Sequence, residues 1–257
     1  MKSNIEWKRW GDIDPLYGVA TWGGKGKTDP NPWTDHEFYA LGESDWVDFL
    51  ARWQRYGVDN EACAEIGSGA GRVTNAMGRT FQQVVGLDVS EGMVSYAREH
   101  VKQNNVEFMV TDGYHIPLID NSVTAVFSSH VFQHFDSLTD ATKYLREIHR
   151  VLRPGKSIMV HIPVFQWPGS PKLFLPIYSV RKALGQIRAQ ILRHRLVHGS
   201  SRLFMRGLWY EIDWIFRELR QLAFTDVELA SFETKSNGAI HSFIFARKIS
   251  SQQHTRV

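Results

Sequence analysis

The sequence predicts an α/β domain: a mostly parallel sheet of seven strands with helices on both faces and the last strand antiparallel. Three observations predict it. From Ala62 onward, short apolar runs alternate with helix-length segments, the pattern of strands joined by helical crossovers. The first run ends in a glycine-rich turn, Gly67-Ser68-Gly69-Ala70-Gly71. The chain closes on two β-rich runs, near enough in sequence to pair antiparallel.

A length of 257 residues suits one such domain with additions, and 43% hydrophobic against 22% charged residues is a globular composition. The single cysteine, Cys63, excludes an intrachain disulfide framework and points to a reducing, cytoplasmic setting. Met1–Trp10 is polar and charged, so no secretory signal is expected there. No run approaches the roughly 20 apolar residues that span a bilayer.

Residues 1–60 read as an N-terminal extension and lid that closes the site. Trp22–Trp33, rich in Gly and Pro, reads as loop. Thr34–Arg55 reads as a helix with Phe38, Leu41, Trp46, Phe49, Leu50 and Trp53 on its apolar side; it either packs on the domain or covers a ligand site. The domain proper spans 61–249. Strands are expected at Ala62–Ile66, Gln83–Leu87, Val106–Val110, Val123–Ser128 and Ser157–Val164, and helices at Arg72–Arg79, Ser90–Lys102 and Leu138–Leu152. Ser90 is a candidate N-cap, and Arg153-Pro154-Gly155 stops the third helix. A helix over Tyr210–Ala223 then precedes the closing strands Val227–Phe232 and Ser242–Lys248, and 250–257 reads as a flexible tail.

Three strand ends carry the chemistry. The glycine turn lets a ligand approach bare backbone. The dinucleotide pattern would want glycine at position 72, where this chain has Arg72, and Glu65 two places before the first glycine would repel a pyrophosphate. Asp88 follows about 20 residues beyond the turn, where a carboxylate meets a ribose diol. Asp112 ends the third strand, where it can accept from an adenine amino group. Capping of the next turn is the competing role for either aspartate.

These residues resemble the class I S-adenosylmethionine-dependent methyltransferases, whose fold is Rossmann-like. Glu65-x-Gly67-x-Gly69-x-Gly71 looks like the cofactor loop of that family, Asp88 like its ribose ligand, Gly92-Met93 like the following pair, and Asp112 like its adenine ligand. His149–Gly155 resembles the stretch before the fifth strand. The likeness covers about 61–164 by motif and 210–249 by strand order. It implies S-adenosyl-L-methionine as cofactor, held by Glu65, Gly67, Ser68, Gly69, Asp88, Val89, Met93, Asp112, Gly113 and Ser129.

The acceptor should sit outside the carboxyl ends of the strands, beside the cofactor. His130 and His134 fall there, after the fourth strand, and histidine suits base work near neutrality. His134 resembles the active-site histidine of many small-molecule members, and His161 can face the same cleft; each is otherwise a satisfied polar group. The expected reaction is methylation of a small-molecule hydroxyl (sugar, glycan, lipid-linked or natural product), with amine methylation or a non-catalytic binding protein of the same fold as alternatives. Nucleic acid is disfavoured as substrate. The Asn/Asp-Pro-Pro-aromatic turn of amine-directed base methylases is missing, and Cys63 lies inside a strand, away from the strand mouths. No motif demands a metal. His194 and His198 share ligand spacing, which a solvated basic helix also explains.

Residues 165–209 read as an inserted cap. The stretch 164–210 contains no Asp or Glu and eight Lys or Arg, a formal +8. Its apolar residues recur every three or four positions, and Arg181, Arg188 and Arg195 every seven. It either packs on the domain, binds an anionic acceptor, or lies on a membrane surface through 172–198. Oligomeric state is not encoded in any of these features. If the cap binds an anionic acceptor, neutralising Arg181, Arg188 and Arg195 together weakens acceptor binding and leaves cofactor binding intact. Unchanged acceptor affinity, measured by calorimetry, removes that reading.

Overall fold

The computed structural model describes residues 1–165, 207–236 and 238–250. Most of the basic cap and the tail beyond residue 250 lie outside the described residues. In chain order the strands are β1 (Ala62–Ile66), β2 (Gln83–Asp88), β3 (Val106–Val110), β4 (Val123–Ser128), β5 (Leu152–His161), β6 (Val164–Phe165), β7 (Tyr210–Glu211), β8 (Phe224–Glu233) and β9 (Ile240–Lys248). The helices are α1 (Ser3–Ile13), α2 (Pro15–Val19), α3 (Asp35–Tyr56), α4 (Thr74–Met77), α5 (Glu91–His100), α6 (Leu138–Val151) and α7 (Ile212–Gln221), with a 3-10 turn at Phe132–His134.

Seven strands make one sheet in the order β3-β2-β1-β4-β5-β9-β8. β1 to β5 run parallel, and β9 is antiparallel to both β5 and β8. The chain steps outward from β1 to β3, then returns to place β4 on the other side of β1. This reversal opens a crevice at the carboxyl ends of β1 and β4. Among the described residues, no helix is long and apolar enough to cross a membrane.

Both faces of the sheet are covered, so its central strands are apolar throughout rather than alternating. Side-chain alternation still sorts the residues. Cys63, Ala125, Phe127, Met159, Phe243 and Phe245 meet Trp46, Phe49 and Trp53 of α3. Their neighbours Ala64, Val126, Ile158, Val160 and Ile244 meet Tyr144, Leu145 and Ile148 of α6 and Ile215 and Leu219 of α7. α3 starts on a capping box, Thr34 with Glu37, and stops at Gly57, whose φ of 104° is left-handed. Trp53 is fully buried, and its indole N–H donates to Ser157 Oγ at 3.0 Å. α3 is thus a packed element of the core.

Several boundaries differ from expectation. The helix expected over Arg72–Arg79 is the single turn α4, because the glycine turn consumes its start. β5 begins directly where α6 ends, at Leu152, and stops at His161, while Val164–Phe165 pairs separately with Tyr210–Glu211. The helix expected from Tyr210 therefore starts at Ile212. β8 is longer than expected at both ends. Helices α1 and α2 were not expected. The signal for α2 stands in the sequence: Asp14 accepts from Tyr17 N at 3.1 Å as its N-cap, and Pro15 occupies the first turn.

Trp53→Ala is expected to cost about 3–5 kcal/mol of unfolding free energy, as removal of a fully buried large side chain does. Urea unfolding checks it, and a loss below about 1 kcal/mol would contradict the anchoring role of α3.

Candidate functional site

A cavity of about 330 Å³ opens at the carboxyl ends of β1 and β4. The glycine turn forms its floor. Gly67 and Gly69 adopt φ of 72° and 53°, and the N–H groups of Gly67 and Ser68 donate to Leu87 O at 2.7 and 3.0 Å. Side chains are barred on space as well as on conformation: a Cβ at Gly67 would lie 2.1 Å from Val131 Cγ2, and one at Gly69 2.5 Å from Val19 Cγ2.

Asp88 ends β2 beside this turn. Its Oδ2 accepts from Gly69 N and its Oδ1 from Ser90 N, both at 2.9 Å. Burial raises its pKa, and the backbone donors of Ser90 and Gly69 oppose that rise. Each oxygen retains a lone pair for a ligand hydroxyl. Val89, Met93 and Gly113 line the same wall, as does Ser129, whose buried hydroxyl has no hydrogen-bond partner among the described residues. A carboxylate acceptor pair, bare glycine backbone and a spare hydroxyl together fit a nucleoside with a short polar chain.

Three expected ligands stand outside the lining. Glu65 is buried beneath the turn, where its carboxyl accepts from the Thr74 hydroxyl. Ser68 is buried outside the lining. Asp112 takes the capping role. Its exposed carboxyl accepts from Tyr114 N at 2.7 Å, His115 N at 2.8 Å and the His115 ring at 2.8 Å. Against desolvation, which raises it, His115 and the backbone donors bring its pKa down to about 2. The neighbours Thr111 and Gly113 face the cavity in its place.

His130 and His134 both line the cavity. His134 is buried in the 3-10 turn, with Trp7 edge-on to its ring at 4.6 Å and Gln133 Nε2 at 2.9 Å from its Nε2. With the amide as donor, that ring nitrogen is the accepting, unprotonated one. His130 has a left-handed φ of 59°, and burial, followed by the fields of His241 and Arg72, pushes its pKa down to about 3. His161 is buried outside the lining.

Sequence reasoning expected the N-terminal extension as a lid but named none of the residues by which it lines the cavity. Met1, Asn4, Trp7, Val19 and Trp22 line the cavity, and Asn4 Nδ2 donates to Asp112 O at 2.9 Å. α3 contributes Leu41. Arg72 was also missed; it lines the cavity while its guanidinium pairs with buried Asp45 of α3 at 2.7 Å.

Glu65 has a measurable signature. Burial raises its pKa from 4.5 to about 8, with Thr74 and Arg72 opposing. Folded Glu65 therefore holds its proton where the unfolded chain has lost it. The resulting stabilisation is complete below pH 4.5 and disappears as pH rises through about 8. Glu65→Gln should melt with the wild type near pH 4.5 and above it beyond pH 8. Parallel melting curves across that range would show that Glu65 ionises freely in the fold.

The model of a family described as a methyltransferase domain matches residues 64–160. Demethylmenaquinone methyltransferase of Corynebacterium kroppenstedtii is 32% identical over 171 residues, covering 60% of this chain and 70% of that protein. Malonyl-acyl-carrier-protein O-methyltransferase of Methylococcus capsulatus is 31% identical over 118 residues, 45% of this chain and 40% of the relative. The chain spans less than half the length of that relative and of several other curated ones. Among solved structures, magnesium protoporphyrin IX methyltransferase from Synechocystis PCC 6803 with bound SAH gives a TM-score of 0.60 at 14% identity, covering 96% of this chain and 100% of that one. At that identity the likeness speaks for the fold alone. Kinship rests on the Corynebacterium relative, matched over more than two thirds of its length: the chain belongs to the class I S-adenosylmethionine-dependent methyltransferases.

Proposed function

We propose that the protein methylates a hydroxyl of a small molecule, with His134 receiving the hydroxyl proton. One observation carries the reading: His134 is a buried imidazole on the cavity wall, and its Nε2, now accepting from Gln133, is the unprotonated nitrogen that would take the proton once that contact yields to the acceptor hydroxyl. When bound, S-adenosylmethionine supplies a methyl group on a good leaving group, so the protein has mainly to align the nucleophile and exclude water.

In this reading Gly67, Gly69 and Asp88 seat the nucleoside, with Val89, Met93, Gly113 and Ser129 completing the wall. Glu65, Ser68 and Asp112 act indirectly, by supporting the turn and the β3 end. Trp7 and the other N-terminal residues wall the cavity, which supports a lid role for the N-terminal extension. His130, held neutral, borders the acceptor. A negatively charged acceptor is supported by the +8 of the inserted segment. The C-terminal end of that segment stands beside the histidine turn: Leu208 N donates to Gln133 O and the Tyr210 hydroxyl to Phe132 O, each at 2.7 Å. A cytoplasmic setting is supported by the single, buried cysteine.

His134→Ala is expected to lower kcat by about 10²–10⁴-fold, the contribution of a general base, with cofactor affinity unchanged. Asp88→Ala should weaken S-adenosylmethionine binding in calorimetry. Undiminished turnover by His134→Ala would favour an amine acceptor, whose free lone pair needs no base. Failure of the folded wild type to bind S-adenosylmethionine or S-adenosylhomocysteine would overturn the seat itself.

A further inference from the structure

Behind the cavity wall three imidazoles meet. His130 follows β4, His161 ends β5 and His241 is the second residue of β9. The strand register brings the last two together: Phe243 stands opposite His161, and His241, two residues earlier, projects from the same face of β9. Ring centroids are 4.5 Å apart for His130 and His161, 4.7 Å for His130 and His241, and 5.0 Å for His161 and His241. One nitrogen of each ring lies within 4.8 Å of the other two.

Hydrogen bonding alone accounts poorly for this packing. His241 Nδ1 and His161 Nε2 approach to 3.2 Å and can share one proton. His161 Nδ1 and His241 Nε2, both buried, have no partner among the described residues. His161 is buried and His130 and His241 are half-buried, and imidazoles turned toward one another are costly to hold unless something binds the lone pairs they present. A tetrahedral zinc ion binds one nitrogen of each ring at about 2.0–2.1 Å, which sets its ligands roughly 3.3 Å apart, close to the 3.2 Å between His241 Nδ1 and His161 Nε2.

We propose that His130, His161 and His241 form a binding site for a divalent transition-metal ion of the zinc class. Neutral imidazole is the ligand such ions select, and no carboxylate or thiol belongs to the trio to favour a harder or softer metal. Among the described residues, the charge of Arg72 acts on His130 and that of Asp45 on His241, and the two are paired with each other. His130 belongs both to the trio and to the cavity wall, so the ion would stand against the acceptor end and tie the histidine turn to β5 and β9. It would also give a reason for the left-handed backbone of His130, a conformation that a residue with a side chain keeps only when its surroundings require it. The proposal is independent of the hydroxyl-acceptor reading, since it concerns binding alone.

The test is titration of chelator-treated, full-length protein with Co²⁺, followed by displacement with Zn²⁺. One ion per chain is expected, with the intense visible d–d bands of a four-coordinate site and loss of those bands on adding zinc. His161→Asn and His241→Gln should each weaken cobalt binding by more than the roughly 10–100-fold that losing an outer-shell partner costs. The double variant His194→Ala/His198→Ala, which alters the other pair at ligand spacing, should keep the bands. Should the buried variants not fold, X-ray absorption of the cobalt-loaded wild type counts its imidazole ligands directly. Absence of stoichiometric binding, fewer than three imidazoles, or bands lost only in the 194/198 variant would overturn the proposal.

Discussion

The site depends first on two bare α-carbons. Gly67 and Gly69 carry the chain out of β1 in a left-handed bend, and the two N–H groups after Ile66 reach back to Leu87 O. The end of β1 is thereby tied to β2, and Asp88, the next residue, is in place to accept from Gly69. The space that side chains would take is used by others: Val131 of the histidine turn presses on Gly67, and Val19 of α2 on Gly69. One constraint therefore positions the cofactor seat, the N-terminal wall and the acceptor end together. A side chain at either glycine would displace a neighbouring wall as well as strain the turn.

The fold was legible because its signals are periodic and local. Strand–helix alternation, the Gly67–Gly71 turn and the acidic end of β2 are all visible in a linear string, and they located nine of the cavity-lining residues, from Gly67 to His134. What was illegible depends on where a side chain turns after the backbone is placed. Glu65 and Asp112 occupy ligand positions by motif, yet Thr74 engages one from below, and the other is satisfied by the two N–H groups that follow it. The N-terminal helices were hidden for another reason. α1 fully buries only Ser3 and Gly11 among its residues, and its hold on the domain comes from scattered contacts: Trp7 on His134, Trp10 on the cluster around Leu16 and Met93, and Asn4 to Asp112 O. The histidine trio arises from strand register across residues 111 positions apart, which no local spacing records.

Arg72 shows why a departure from a motif can have a structural cause. A glycine at that position would suit a pyrophosphate. Arginine there puts a guanidinium at the cavity edge, which alone would repel a cationic ligand. Asp45 of α3 answers it at 2.7 Å, and the other oxygen of the same carboxylate accepts from Ser236 N at 3.1 Å. The pair is buried, so its net stabilisation is modest, but removing either member would strand a charge at a cost of about 3–5 kcal/mol. Its value lies in neutrality and in connection. The cavity edge keeps no excess positive charge, and α3, the glycine turn and the β8–β9 loop are held in one arrangement.

His134 receives the two ends of the molecule from opposite sides. Gln133 contacts its Nε2 from within the turn, and Trp7 of α1 packs edge-on against the ring. The domain alone supplies the imidazole, but its second wall comes from residues outside the sheet and its crossovers. Four residues earlier, His130 keeps a left-handed backbone that costs on the order of 1–3 kcal/mol. Between them Val131 fills the space beside Gly67. Any rotation of the 130–134 segment must therefore move Val131 against the cofactor turn, shift the imidazole of His134 relative to Trp7, and separate His130 from His161 and His241. The wall of the glycine turn, the imidazole of His134 and the histidine trio share one five-residue segment, so a ligand that fixes any one of them fixes the other two.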